Sequence, residues 1–212
     1  LVGSEMCIRD SLYTVERTDI ATDGSLTLRT QAEVDAFARS GINTVEGNLT
    51  IGGEDEENPV TNLDGLKNLV SVRCDLTITA AYTGETLAGL ENLTACESLR
   101  IGSAAHPNET LRQLSLPALK EIKGDLCVYG TALQTADFKS LQSVAGHFVL
   151  QSDALLQLTA DELTTVAGNM TLIGTTADEA KAPCEQMYFP KLQRIDGTLT
   201  LSRFDRLSGL GT

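Results

Sequence analysis

The side chains able to do chemistry in this chain are few: two histidines, a handful of cysteines and a scatter of carboxylates. His106 lies in the segment AAHPNET and His147 stands directly before Phe148. Neither has a serine, cysteine or carboxylate at a sequence-local spacing that specifies a nucleophilic triad or a metal site, so both read as surface residues. Asp75 and Asp125 are the carboxylate pair to test, because a polysaccharide-cleaving β-helix can draw its acid and base from neighbouring coils. Their places in the repeat described below put them about two strand spacings, roughly 9–10 Å, apart. The run Glu54-Asp55-Glu56-Glu57 is consecutive rather than spaced like a calcium loop and reads as a solvated rim loop. No G-x-G-x-x-G or glycine-rich GK[ST] stretch occurs, so no phosphate cradle is expected. The expectation is of no catalytic residue, no cofactor and no metal.

Residues 1–11, LVGSEMCIRDS, match nothing else in the chain and read as non-native, adaptor-derived sequence, which removes Cys7 from the cysteine count. Cys74, Cys96, Cys127 and Cys184 remain, an even set compatible with two disulfides in any of three pairings. Cys74 and Cys96 fall in similar parts of successive coils, within the Cα separation a disulfide needs, and are the preferred pair. Cys184 lies in the insertion TTADEAKAPCEQMYFP, which would fold back over the sheet to meet Cys127. Four unbridged thiols are the alternative, and no C-x-x-C spacing points to zinc. Sequons at Asn48, Asn92, Asn108 and Asn169 are candidate glycosylation sites. Passage through a eukaryotic secretory route is expected to add glycan mass at one or more of them.

These residues are positioned by a repeat. A hydrophobic residue, a spacer, usually Gly, another spacer, then two apolar residues flanking an outward one recur along the chain. The copies are VEGNLTI at 45–51, VRCDLTI at 72–78, IKGDLCV at 122–128, VAGHFVL at 144–150, VAGNMTL at 166–172 and IDGTLTL at 195–201, with a blurred copy, ACESLRI, at 95–101. Aligned on Leu49, Leu76, Leu99, Leu126, Phe148, Met170 and Leu199, they stand 22 to 29 residues apart, too short for a domain and suited to one coil of a solenoid. Alternation within each copy turns one set of side chains inward. A second apolar series supplies further walls: Leu63, Leu66, Leu69 and Val72, then Leu111, Leu114, Leu116, Leu119 and Ile122, then Leu192 and Ile195. The spacing predicts an all-β solenoid of stacked parallel coils, each stabilised by its neighbours because one coil cannot enclose its own apolar face.

Gly47, Gly124, Gly146, Gly168 and Gly197 stand two residues before the inward strand position and read as structural, serving a bend or a close backbone approach. Upstream, Leu26-Thr27-Leu28 repeats the strand pattern. The segment TQAEVDAFARSG at 30–41 predicts a short helix, with Thr30 as N-cap, Glu33 closing a capping box and Gly41 as terminator. Val34 and Phe37 would face inward, and the helix would cover the open end of the solenoid. Residues 12–23 are an undefined lead-in, and 24–212 read as one solenoid domain, truncated at its C-terminus because no cover follows Leu199 and Leu201.

A net charge of −13 disfavours nucleic acid and anionic membranes as partners. No apolar run of 18 residues is present, so membrane or wall attachment would need sequence outside this chain.

The phrase V-x-G-N-L-T-I followed by Gly, the L-x-x-I-x-G-x-L-x-I coil and the segment TQAEVDAFARSGINTVEG resemble the receptor L-domain group. That group comprises the leucine-rich ligand-binding lobes of insulin- and epidermal-growth-factor-type receptors with related fungal and microbial surface proteins. The resemblance covers about residues 24–201. It implies a short right-handed parallel β-helix with a terminal helix, leucine-rich-repeat-like in character, in a disulfide-bonded glycoprotein that is secreted or at the cell surface. The receptors' ligand contacts have no matching positions here, and the L-x-x-L-x-L-x-x-N ladder of ordinary leucine-rich repeats is absent.

The function expected is a noncatalytic recognition or adhesion domain that binds an extracellular protein or glycan. Its surface would follow the outward strand column, Thr50, Thr77, Arg100, Thr171 and Thr200, with His147 beside it. Arg100, Cys127 and Val149 interrupt the threonine ladder and argue against ice as the ligand. The alternatives are a wall or surface scaffold without a discrete ligand and, behind it, a polysaccharide-cleaving β-helix.

Overall fold

The computed structural model describes residues 21–53, 57–175, 182–204, 206–207 and 209–211; the acidic residues 54–56 and the segment 1–11 lie outside them. The alternating L-T-I type segments become sheet one, whose eight strands are Leu26–Leu28, Leu49–Ile51, Leu76–Ile78, Leu99–Ile101, Leu126–Tyr129, Phe148–Gln151, Met170–Ile173 and Leu199–Ser202. Their register aligns Leu26, Leu49, Leu76, Leu99, Leu126, Phe148, Met170 and Leu199, as the repeat spacing predicts. Two-residue strands just upstream in each coil, from Thr44–Val45 to Arg194–Ile195, make a seven-stranded sheet two. Gln113–Ser115, Thr135–Asp137, Gln157–Thr159, Gln186–Tyr188 and Gly209–Gly211 make a five-stranded sheet three. The product is a right-handed parallel β-solenoid with three walls.

The third wall begins as something other than strand. In the first coil it is the helix Gln31–Ser40, started by the Thr30–Glu33 capping box and stopped by Gly41 in the left-handed region at φ 70°. Val34 and Phe37 are its buried residues. In the second coil the same wall is the 3₁₀ turn Asp64–Leu66, packed so close to the helix that a Cβ on Gly65 would lie 2.8 Å from the Val34 carbonyl carbon. Inside the walls, Leu49, Leu76, Leu99, Leu126, Phe148 and Met170 are fully buried, each contributing roughly 1.5–3 kcal/mol of apolar burial. Phe138 meets Phe148 edge to face, with ring centroids 5.9 Å apart. The series stays sealed until the last coil, where Leu199 and Leu201 are 40% and 38% exposed.

The corner between sheets two and one explains the recurring phrase. In most coils the residue just before the inward position accepts a hydrogen bond from the backbone N–H at the same place in the next coil. The Asn48 N–H donates to Ser25 Oγ (3.0 Å), Asp75 to Asn48 Oδ1 (3.1 Å), His147 to Asp125 Oδ1 (2.9 Å), Asn169 to His147 Nδ1 (2.9 Å) and Thr198 to Asn169 Oδ1 (2.8 Å). Beside this ladder the glycines continue the backbone chain, with Gly146 N–H donating to Gly124 and Gly168 N–H to Gly146. There is no room for a side chain between the two rows. A Cβ at Gly168 would lie 2.6 Å from the Gly146 carbonyl oxygen and 2.7 Å from His147 Nδ1.

This geometry corrects the family reading. The molecule is a parallel β-solenoid rather than the leucine-rich-repeat-type fold implied by the L-domain resemblance. The phrase V-x-G-N-L-T-I is what a tight corner followed by a half-buried strand demands: a buried residue, a glycine for clearance, a short polar acceptor, then alternation. Any coil that turns this way will resemble it, so the phrase specifies the corner and not the family.

Candidate functional site

Sheet one presents a flat outward face, because successive strand residues alternate between core and solvent. Parallel pairing in register lines up Thr27, Thr50, Thr77, Arg100, Cys127, Val149, Thr171 and Thr200 across all eight coils. The expected recognition residues Thr50, Thr77, Arg100, Thr171 and Thr200 therefore share one column. His147 does not: it is a member of the corner ladder, its Nδ1 accepting from the Asn169 N–H.

Arg100 joins the two acidic residues singled out as a carboxylate pair. Its Nη1 lies 2.7 Å from Asp75 Oδ2 and its Nη2 3.7 Å from Asp125 Oδ2. The guanidinium stands between the carboxylates on the intervening coil, where a glycosidic bond would have to sit if they were acid and base. Among the described residues no group of three His, Cys, Asp or Glu side chains is placed to hold a metal ion, and no helix is long and apolar enough to cross a membrane.

The disulfide expectation is overturned. Cys74, Cys96, Cys127 and Cys184 are all free thiols. In register, Leu76 aligns with Leu99 and Ser71 with Ala95, so Cys96 occupies the place of Val72 and not that of Cys74. Val72 is an inward strand residue, whereas Cys74 lies two residues beyond it at the corner: Cys96 points into the core and Cys74 is exposed. Cys127 is half-buried on the outside of sheet one, whereas Cys184 is buried beside the start of sheet three, its Sγ 3.4 Å from the Gln186 carbonyl oxygen. Burial pushes the Cys96 thiol up to about 12, with Asp75 and Glu97 adding to it. Burial also raises Cys127, reinforced by Asp125 and opposed by Arg100. The expected outcome of thiol labelling at neutral pH in the folded protein is rapid modification of Cys74 and protection of Cys96 and Cys184, with all four reacting after denaturation without reductant. Mass analysis of the labelled peptides checks it.

The four sequons differ in their surroundings. Asn48, Asn92 and Asn169 are exposed; in Asn48 and Asn169 the side-chain carbonyl oxygen serves the ladder. Asn108 is fully buried. Its Nδ2 donates to the carbonyls of Tyr82 (2.8 Å) and Thr79 (3.4 Å), and its Oδ1 accepts from the N–H groups of Leu111 (2.8 Å) and Thr110 (3.1 Å). A glycan has no path to that nitrogen, so Asn108 is expected to stay bare in folded, secreted protein. Asn108→Ala strands the Leu111 and Thr110 N–H donors, while the Tyr82 and Thr79 carbonyls keep the Thr110 hydroxyl and the Tyr82 N–H, and is expected to cost about 2–4 kcal/mol, read as a lowered urea midpoint.

One feature was not reached from the sequence. Where the sheet-one strands of the first four coils end, a groove of about 990 Å³ opens, lined by Arg29, Thr77, Thr79, Ala80, Ser103 and His106 around Gly52 and Gly102. Its trace in the sequence is the glycine that follows the strand in IGG at 51–53 and IGS at 101–103, where φ is +97° at Gly52 and +60° at Gly102.

Comparison with protein-family models, with curated proteins and with solved structures returns no significant match.

Proposed function

We propose that this chain is a noncatalytic recognition or adhesion domain, displaying the outer face of sheet one and the groove at its end to an extracellular protein or glycan. The observation that carries the reading is the in-register outward column: eight coils held by continuous backbone pairing and a corner ladder make a rigid surface whose residues need little ordering on binding. The engagement of Asp75 and Asp125 by Arg100 supports a binding role over hydrolysis. Secretion or display at the cell surface is supported by the exposed sequons Asn48, Asn92 and Asn169. The four unbridged thiols weigh in the other direction, and glycan mass on protein sent through a secretory route decides between them.

The test is a screen of the purified domain against immobilised glycans and cell-surface proteins, with Arg100→Ala and Thr171→Ala as surface variants of unchanged unfolding midpoint. Saturable binding is expected. Turnover of a polysaccharide would overturn the noncatalytic reading, and a clean negative screen would shift the role to a structural scaffold.

A further inference from the structure

The groove crosses the first four coils: Arg29 lies on the first, Gly52 on the second, Thr79 on the third, and Gly102, Ser103 and His106 on the fourth. Three coil intervals span roughly 14 Å, the reach of a short chain of rings rather than of a single small molecule. Its frame is braced. Asn108 and Thr110 tie the fourth-coil loop to the carbonyls of the third-coil loop, with Thr110 Oγ1 3.0 Å and Asn108 Nδ2 2.8 Å from the Tyr82 oxygen. Gly102 sits so close to this brace that a Cβ there would lie 2.7 Å from the Asn108 nitrogen.

We propose that this groove binds a short neutral oligosaccharide. The inference rests on the recognition reading above and names its ligand class and its site. The lining combines the hydroxyls of Thr77, Thr79 and Ser103 with the methyl groups of the threonines and Ala80, a mixture suited to a sugar ring, which presents hydroxyls at its rim and C–H groups on its faces. Arg29 is exposed on the first coil and lines the groove, placing a strong donor there for a hydroxyl or ring oxygen. The net charge of −13, together with the acidic run that starts directly after Gly53, works against an anionic chain. A peptide added as a strand is disfavoured because the sheet-one strands beneath the groove at Leu49–Ile51 and Leu76–Ile78 are already paired on both sides and offer no free edge.

The test uses calorimetric titration of the full chain with short neutral glucan and mannan oligosaccharides, and with an oligogalacturonide as the acidic counterpart. Arg29→Ala removes the donor and Ala80→Trp fills the groove, both from positions outside the core. Saturable binding of a neutral oligosaccharide is expected, weakened about tenfold or more by either groove variant, with unfolding midpoints unchanged. Binding that ignores the groove variants but is lost in Arg100→Ala or Thr171→Ala would overturn the groove while leaving recognition by sheet one intact. Stronger binding of the oligogalacturonide would overturn the neutral class. Absence of binding to every saccharide would overturn the groove inference, leaving recognition to be decided by the protein arm of the screen.

Discussion

Leu126→Asp is expected to abolish cooperative folding of the central coils, whereas Thr50→Ala is expected to shift the urea midpoint only slightly. Leu126 is fully buried, and truncating such a leucine to alanine alone costs about 2–5 kcal/mol. A carboxylate adds the cost of burying a charge without a partner, and the total rivals the whole stability of an ordinary domain, about 5–15 kcal/mol. The damage is not confined to one coil. Leu126 pairs with Leu99 on one side and Phe148 on the other, and a solenoid draws its stability from such nearest-neighbour interfaces. Thr50 points outward from the same sheet and is half-buried, so its loss should stay below about 1 kcal/mol. Equal midpoints for the two variants would contradict the facing of sheet one.

Gly168→Ala and Gly24→Ala are expected to move stability in opposite directions, although both glycines precede a sheet-one strand by two residues. At Gly168 the new Cβ meets the Gly146 carbonyl oxygen at 2.6 Å, its carbonyl carbon at 2.7 Å and His147 Nδ1 at 2.7 Å. Two of the three are backbone and cannot swing aside, while the third is the acceptor for the Asn169 N–H. The clash should cost about 1–3 kcal/mol or more, larger than the gain of about 0.4–1 kcal/mol from stiffening the unfolded chain. At Gly24 a Cβ meets nothing within 4 Å, so the gain stands alone. Thermal melts of the two variants check the sign. Destabilisation of both by the same amount would mean that the corner glycines serve a bend and not the close approach of successive coils.

Much of the scaffold was legible because a solenoid repeats one local problem. Alternation with period two leaves a single register in which Leu49, Leu76 and Leu99 all face inward. The helix Gln31–Ser40 was legible too, since its start and stop signals, Thr30, Glu33 and Gly41, act through bonds within a few residues. What the sequence does not show lies where small offsets or distant partners decide. The disulfide expectation fails because Cys96 takes the inward place of Val72, whereas Cys74 lies two residues beyond Val72 at the exposed corner. Asp75 and Asp125 lie two coils apart, and no local pattern shows that Arg100 stands between them. Asn108 carries the same sequon logic as Asn48, yet its amide is spent inside on the Thr79–Tyr82 loop.

Local alternation and local hydrogen bonding, repeated at a fixed interval, suffice for the stacking of parallel coils, the inward and outward columns of sheet one and the capped helix. The free state of the cysteines, the burial of Asn108, the engagement of Asp75 and Asp125 by Arg100 and the groove across four coils belong to the folded molecule alone. Each of these depends on how side chains from separate turns meet in space, and residues more than 20 apart along the chain, such as Tyr82 and Asn108 or Asp75 and Arg100, carry no local signal of that meeting. The corner ladder stands between the two. Its glycines were visible in five of the six well-formed copies, but their reason, clearance for the side-chain acceptor and backbone of the coil before, exists only when the coils are stacked.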